Sequence, residues 1–152
     1  MHYSRKLFER DFPTDEACLQ RIMEMRFPGN MARCDSETCG GVLRKHHQVS
    51  GRTAYACHCC GRHLYPLVGT VFERSSTSLL TWFRAMYLVG IIGPHISAKQ
   101  IQRETGVTYK TAWRMLRLIR TLPRRGRSIL IRRLRRSRRS SRPRSRLRKR
   151  NR

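Results

Sequence analysis

Four of the six cysteines fall into two pairs whose spacing suits a single metal ion. Cys34 and Cys39 enclose four residues, Cys57 and Cys60 enclose two, and seventeen residues separate the pairs. These are spacings of a structural zinc site built from two knuckles. Each pair is followed by a glycine, Gly40 and Gly61. The chain must turn back there so that amides face thiolate sulfur, often at positive φ. Cys59 lies inside the second knuckle and is the poorer ligand, although spacing alone does not separate it from Cys57. Four thiolates leave no open coordination position, so a zinc ion held this way supports the fold and performs no catalysis. His46, His47, His58 and His63 are then left without a ligand role and read as surface residues. Cys18 falls on an apolar helical face and reads as core.

A second set of residues suits contact with a polyanion. Between 97 and 120, Ile101, Gly106, Val107, Ala112 and Met115 stand where a helix–turn–helix keeps its inward side chains and its turn glycine. Ala112, Met115, Leu116 and Ile119 share one face of the last helix, while Lys110, Arg114 and Arg117 recur at helical spacing on the other. A recognition helix needs this division, with one side locked to its neighbours and the other free to enter a major groove. Lys110, Thr111 and Arg114, in its N-terminal half, are the candidates for base edges. Lys99, Arg103, Thr108, Tyr109 and Arg117 suit phosphates.

The elements that must position these residues can be placed from local signals. A helix should follow Phe12-Pro13, capped by Thr14, favoured by Asp15 and Glu16, and ended by Pro28-Gly29-Asn30. Strand candidates are Val42-Leu43, residues 53–56 and residues 67–72, separated by glycine-bearing turns. Leu79, Trp82 or Phe83, Met86 and Val89 predict a helix closed between Gly90 and Pro94. Ser97 to Gln100 has a capping-box pattern that opens a helix to Glu104. After the break at 105–107, Thr108 caps a helix to about Thr121. The expectation is a small α+β protein with an N-terminal helix, a four-cysteine zinc ribbon, a three-helix helix–turn–helix unit and a disordered basic tail. Its parts are 8–73, 78–121 and 124–152. So small a ribbon needs a staple, and zinc would supply on the order of 10–16 kcal/mol of apparent free energy.

Charge narrows the partner. Of 152 residues, 34 are Lys or Arg and 9 are Asp or Glu, a net +25; 16 of the basic groups and no acid lie in 124–152. No carboxylate follows Glu104, which excludes acid-dependent chemistry downstream of it. An excess of this size points to nucleic acid. No apolar h-region follows the N-terminal residues, and the longest apolar run, 85–93, is about half a membrane span. A cytoplasmic, nucleoid-associated protein with reduced thiols and no membrane partner is expected, so the cysteines point to metal rather than disulfides.

The order of motifs resembles the N-terminal region of insertion-sequence transposases of the zinc-ribbon, ISXO-like branch. The resemblance runs through Phe12-Pro13-Thr14-Asp15-Glu16-Ala17-Cys18, Arg26-Phe27-Pro28, the cysteine pairs, Gly69-Thr70-Val71-Phe72 and Leu80-Thr81-Trp82-Phe83. It continues through Ile96-Ser97-Ala98-Lys99-Gln100-Ile101 and from Gly106 to Leu116. It spans about residues 8–121 and implies recognition of the terminal inverted repeats of a mobile element as double-stranded DNA. There are departures. That family often has Trp at the position of Phe27, and a closer first cysteine pair. It also continues into an RNase H-like domain whose acidic residues hold two divalent ions. Here 124–152 stands in that place, so no residue inherits a catalytic role and the chain is expected not to be an enzyme by itself. Its Arg, Ser, Pro and Leu match an out-of-frame reading of a GC-rich gene; the rival is a basic arm that grips DNA.

Three functions compete. One is a DNA-binding fragment, with intact transposase as a further partner. Another is a complete transposase formed only by frameshifting or with a catalytic chain in trans. The last is a free-standing zinc-ribbon regulator that binds DNA or RNA.

Overall fold

The N-terminal half begins with two helices, and the rings of Phe8 and Phe12 at the first of them pack on Tyr87 and Phe83 far along the chain, each at 4.9 Å between centroids. A computed structural model describes residues 4–122; the stretch 124–152, expected to be disordered, lies outside the described residues. Helix α1 (Arg5–Asp11) is capped by the Ser4 hydroxyl and buries Phe8. Helix α2 (Asp15–Arg26) is capped by Thr14, whose hydroxyl accepts from the Ala17 amide, and buries Cys18, Leu19, Ile22 and Met23. The expected helix is therefore present, and Cys18 is core. α1 was not anticipated, since a seven-residue helix with one buried side chain gives no apolar periodicity.

Four short strands follow, β1 (Met31–Arg33), β2 (Leu43–Gln48), β3 (Tyr55–Cys57) and β4 (His63–Leu64). They form one antiparallel sheet in the order β1-β2-β3-β4. β2 pairs through Leu43 to Lys45 with β1 and through His46 to Gln48 with β3. Two strand expectations shift in their ends: Val42 precedes β2, and β3 starts at Tyr55 rather than Thr53.

The strand expected at 67–72 is overturned. That segment is a chain of turns, with Val68, Thr70 and Glu73 amides donating three residues back to Tyr65, Leu67 and Thr70. Gly69 takes φ +74°, which extended pairing excludes. The Glu73 carboxylate accepts from the Gly69 amide at 2.8 Å, and the Arg26 guanidinium donates to the carbonyls of Pro66 and Val68. Backbone groups that a strand would pair are satisfied instead by these local turns, by Glu73 and by Arg26 of α2.

Three helices complete the chain. α3 (Leu79–Ile92) buries Leu79, Trp82, Phe83, Ala85, Met86, Tyr87 and Val89. It packs against α2, α4 and α5, and a helix apolar on so many sides belongs at the centre. α4 (Ala98–Thr105) carries the full capping box between Ser97 and Gln100. Gly106, left-handed at φ +74°, ends it. α5 (Tyr109–Thr121), capped by Thr108, returns along α4 and buries Ala112, Met115, Leu116 and Ile119. One apolar cluster runs from Phe8 through Cys18, Tyr55 and Trp82 to Ile119, and Cys34, Cys39, Cys57 and Cys60 form a second, separate cluster. None of the described helices is long and apolar enough to cross a membrane.

Candidate metal centre and cationic helix face

The cysteine cluster is assembled by two hairpin turns at one end of the sheet. In the first, the Cys39 and Gly40 amides donate to the Ser36 carbonyl at 3.0 and 2.9 Å, and the Gly41 amide donates back to Cys34 at 3.1 Å. Gly40 and Gly41 adopt φ +62° and +71°. In the second, the Cys57 amide donates to Arg62 and the Gly61 amide to Cys57, both at 2.9 Å, with Gly61 at φ +73°. A side chain at any of these glycines would be strained by the backbone.

These turns bring the sulfurs of Cys34, Cys39, Cys57 and Cys60 within 4.8 Å of one another. Cys34 Sγ lies 3.4 Å from Cys60 Sγ, and Cys39 Sγ lies 3.9 Å from Cys57 Sγ. Both separations exceed a disulfide bond, and all six cysteines are free thiols. Cys34, Cys39 and Cys57 are buried and Cys60 is half-buried. Cys59, which spacing left as an alternative to Cys57, is exposed and outside the cluster.

Cys39, Cys57 and Cys60 hold their protons unequally. The Ser36 hydroxyl and the Arg62 amide, aided by neighbouring thiols, bring Cys60 down to about 6. The Cys60 and Cys59 amides lower Cys57. Burial, only partly offset by Ser36, pushes Cys39 up to about 12. Anionic sulfurs so close repel one another, and a soft cation would allow all of them to ionise. The group could hold a metal ion.

The histidines divide. His47, His58 and His63 are exposed as expected. His46 is not: at 2% exposure it is buried, with Nδ1 2.9 Å from the Arg44 carbonyl. Its register opposite Cys57 turns it inward, a consequence of strand pairing that no local signal announces. None of the four joins the sulfur cluster.

On α5 the buried and cationic faces separate cleanly. Lys110, Arg114 and Arg117 are exposed, as are Lys99 and Arg103 on α4. Among the described residues, Lys99, Arg103, Lys110 and Arg114 form no ion pair. The Arg117 guanidinium lies 5.8 Å over the Trp113 ring. Tyr109 and Trp113, 55% and 51% exposed, flank that face one turn apart. Thr108 and Thr111 are joined at the helix start, Oγ1 to Oγ1 at 3.0 Å, while the Thr111 amide donates to Thr108. Thr111 is only half-exposed. Trp113 carries no assignment from spacing, and its exposure is seen only in the structure. Arg120, also unassigned from sequence, donates to the carbonyls of Pro94 and Ile96 at 3.1 Å and ties the end of α5 to the approach to α4.

Comparison with known proteins gives one informative relative. Over 69 residues the chain is 39% identical to an uncharacterized protein in transposable element ISH50 of Halobacterium salinarum. The match takes in 45% of this chain and 23% of that protein, so the chain spans about a quarter of the length of the curated relative it matches. No family model matches, and no solved structure does. The chain is thus related to an insertion-element protein.

Proposed function

We propose that this chain is the DNA-recognition portion of an insertion-sequence transposase of the zinc-ribbon kind, binding the ends of its element as duplex DNA. In this reading α4 and α5 act as a helix–turn–helix. Lys110, Thr111 and Arg114 face base edges, while Lys99, Arg103, Thr108, Tyr109 and Arg117 hold phosphates. The carrying observation is the division of α5 into a buried apolar face and an exposed cationic one without acidic partners. The insertion-element relative supports the same reading.

Cys34, Cys39, Cys57 and Cys60 would hold zinc. Four sulfurs at tetrahedral corners about 2.3 Å from one ion lie about 3.8 Å apart; two of the pairs stand at 3.4 and 3.9 Å, and all four sulfurs lie within 4.8 Å of one another. When bound, zinc supplies a structural cross-link and no reactive position. The chain's own residues contribute binding; strand cleavage and joining are assigned to acidic groups supplied elsewhere, in a frameshifted product or in trans.

A competition experiment tests the function. The full chain should prefer a duplex carrying the element's terminal inverted repeat over a shuffled duplex of equal length by at least about tenfold. Equal affinity for the two would contradict end recognition.

A further inference from the structure

We propose that the outward face of the four-stranded sheet binds single-stranded nucleic acid by stacking its bases, separately from the cationic face of α5. Cross-strand partners project to the same side of a sheet, and the register puts His47 of β2, Ala56 of β3 and His63 of β4 in one row, in which the small Ala56 is buried and the two flanking histidines are exposed. Tyr65, two residues beyond His63, shares that side. The His47 ring lies 4.7 Å from the His58 ring at 61°, and the His63 ring lies 6.2 Å from that of Tyr65 at 85°. All four are exposed. His58 is not a loose side chain at a loop tip, since its amide donates to the Lys45 carbonyl at 3.0 Å.

On the opposite side of the same sheet Ala32, His46 and Tyr55 are buried, while Arg44, paired with Ala32, is exposed. The outward side continues past His47 through Lys45 to Leu43, and Leu43 stands opposite Arg33. Lys45 and Arg33 are exposed, and Leu43 is 59% exposed. The strand positions on this face therefore carry rings, cations and apolar surface, and no carboxylate.

That combination selects the partner. Cations track a phosphate backbone, and exposed rings offer stacking surfaces that any base can use. Histidine and tyrosine both serve in this way. A duplex hides its base faces, whereas an unpaired strand presents them. A broad sheet face also suits a splayed strand better than a closed groove.

The test uses the full, metal-loaded chain and four probes: oligothymidylate, oligouridylate, an abasic strand with equal phosphates, and a random duplex. The abasic strand matters because the many arginines of 124–152 add charge-driven binding to every probe. The wild type should bind an unpaired, base-bearing strand at least about fivefold more tightly than the abasic strand. The stronger of the two base-bearing probes identifies DNA or RNA as the source. The exposed triple substitution His47→Ser/His63→Ser/Tyr65→Ser should bring the ratio to near one and leave duplex affinity unchanged. Single His63→Ser should lower it partway, with folding of each variant checked by circular dichroism. A wild-type ratio near one, or a triple variant that keeps the wild-type ratio, overturns the proposal. Lys110→Ala/Arg114→Ala should keep the ratio while losing any preference for element ends, so failure of either surface is read separately.

Discussion

The Leu80 amide donates to Asp15 Oδ1 at 2.8 Å, joining the first turn of α2 to the first turn of α3. Asp15 thus serves two helix starts: it sits in the positive end of its own helix and satisfies an otherwise unpaired amide of the next. The site is half-buried, so water replaces the carboxylate poorly. Asp15→Ala should destabilise the protein by about 1.5–3 kcal/mol, read as a lower urea midpoint with unchanged slope. Asp15→Asn keeps an acceptor and should lose less. An Ala variant as stable as wild type would show that the bond contributes nothing.

The metal centre predicts unequal effects among neighbouring cysteines. Cys39→Ser and Cys60→Ser should each lose bound zinc and the ordered ribbon, seen in metal content and thermal melting. Cys59→Ser, altering an exposed thiol outside the cluster, should leave both intact. Loss of zinc on Cys59→Ser would move the ligand set.

Acid should release the metal, and alkali should not. Cations compete with protons for the same sulfur lone pairs. Cys60, held down to about 6, keeps its thiolate at neutral pH, whereas Cys39, pushed up to about 12, ionises only with the cation's help. Linkage in the metal-free state has opposite signs for the two. Cys60 contributes stability above its ordinary value, lost as pH falls through about 6; Cys39 contributes below its ordinary value, lost as pH rises toward 12. A zinc-indicator titration should therefore show retention at pH 7 and release as the pH drops below about 6. Retention to pH 3 would contradict thiolate ligation.

Much of this was legible in the sequence because it is local. Thr14, Ser97 and Thr108 cap helices through a hydroxyl and an amide three residues on, and the cysteine pairs lie at turn spacing. What failed depended on distant partners. The apolar and β-branched residues of 67–72 fit a strand until Arg26 takes the carbonyls of Pro66 and Val68. His46 is buried by pairing opposite Cys57. β1 is three residues long and exists because β2 extends past β3 to meet it.

The two kinds of cation on α4 and α5 should separate in binding data. Arg103→Ala should weaken all duplexes alike and reduce the salt slope by about 0.9. Arg114→Ala should instead cost about 1–3 kcal/mol on one preferred sequence and little elsewhere. Equal losses on every duplex would make Arg114 a phosphate contact.

Methylation interference on a duplex carrying the element's terminal inverted repeat tests the account most directly, because guanine N7 lies in the major groove. The account predicts that methylation at one short cluster of guanines blocks binding of the full chain, and that the cluster disappears with Lys110→Ala/Arg114→Ala. Binding indifferent to methylation at every guanine, in wild type and variant alike, would contradict a groove-reading α5.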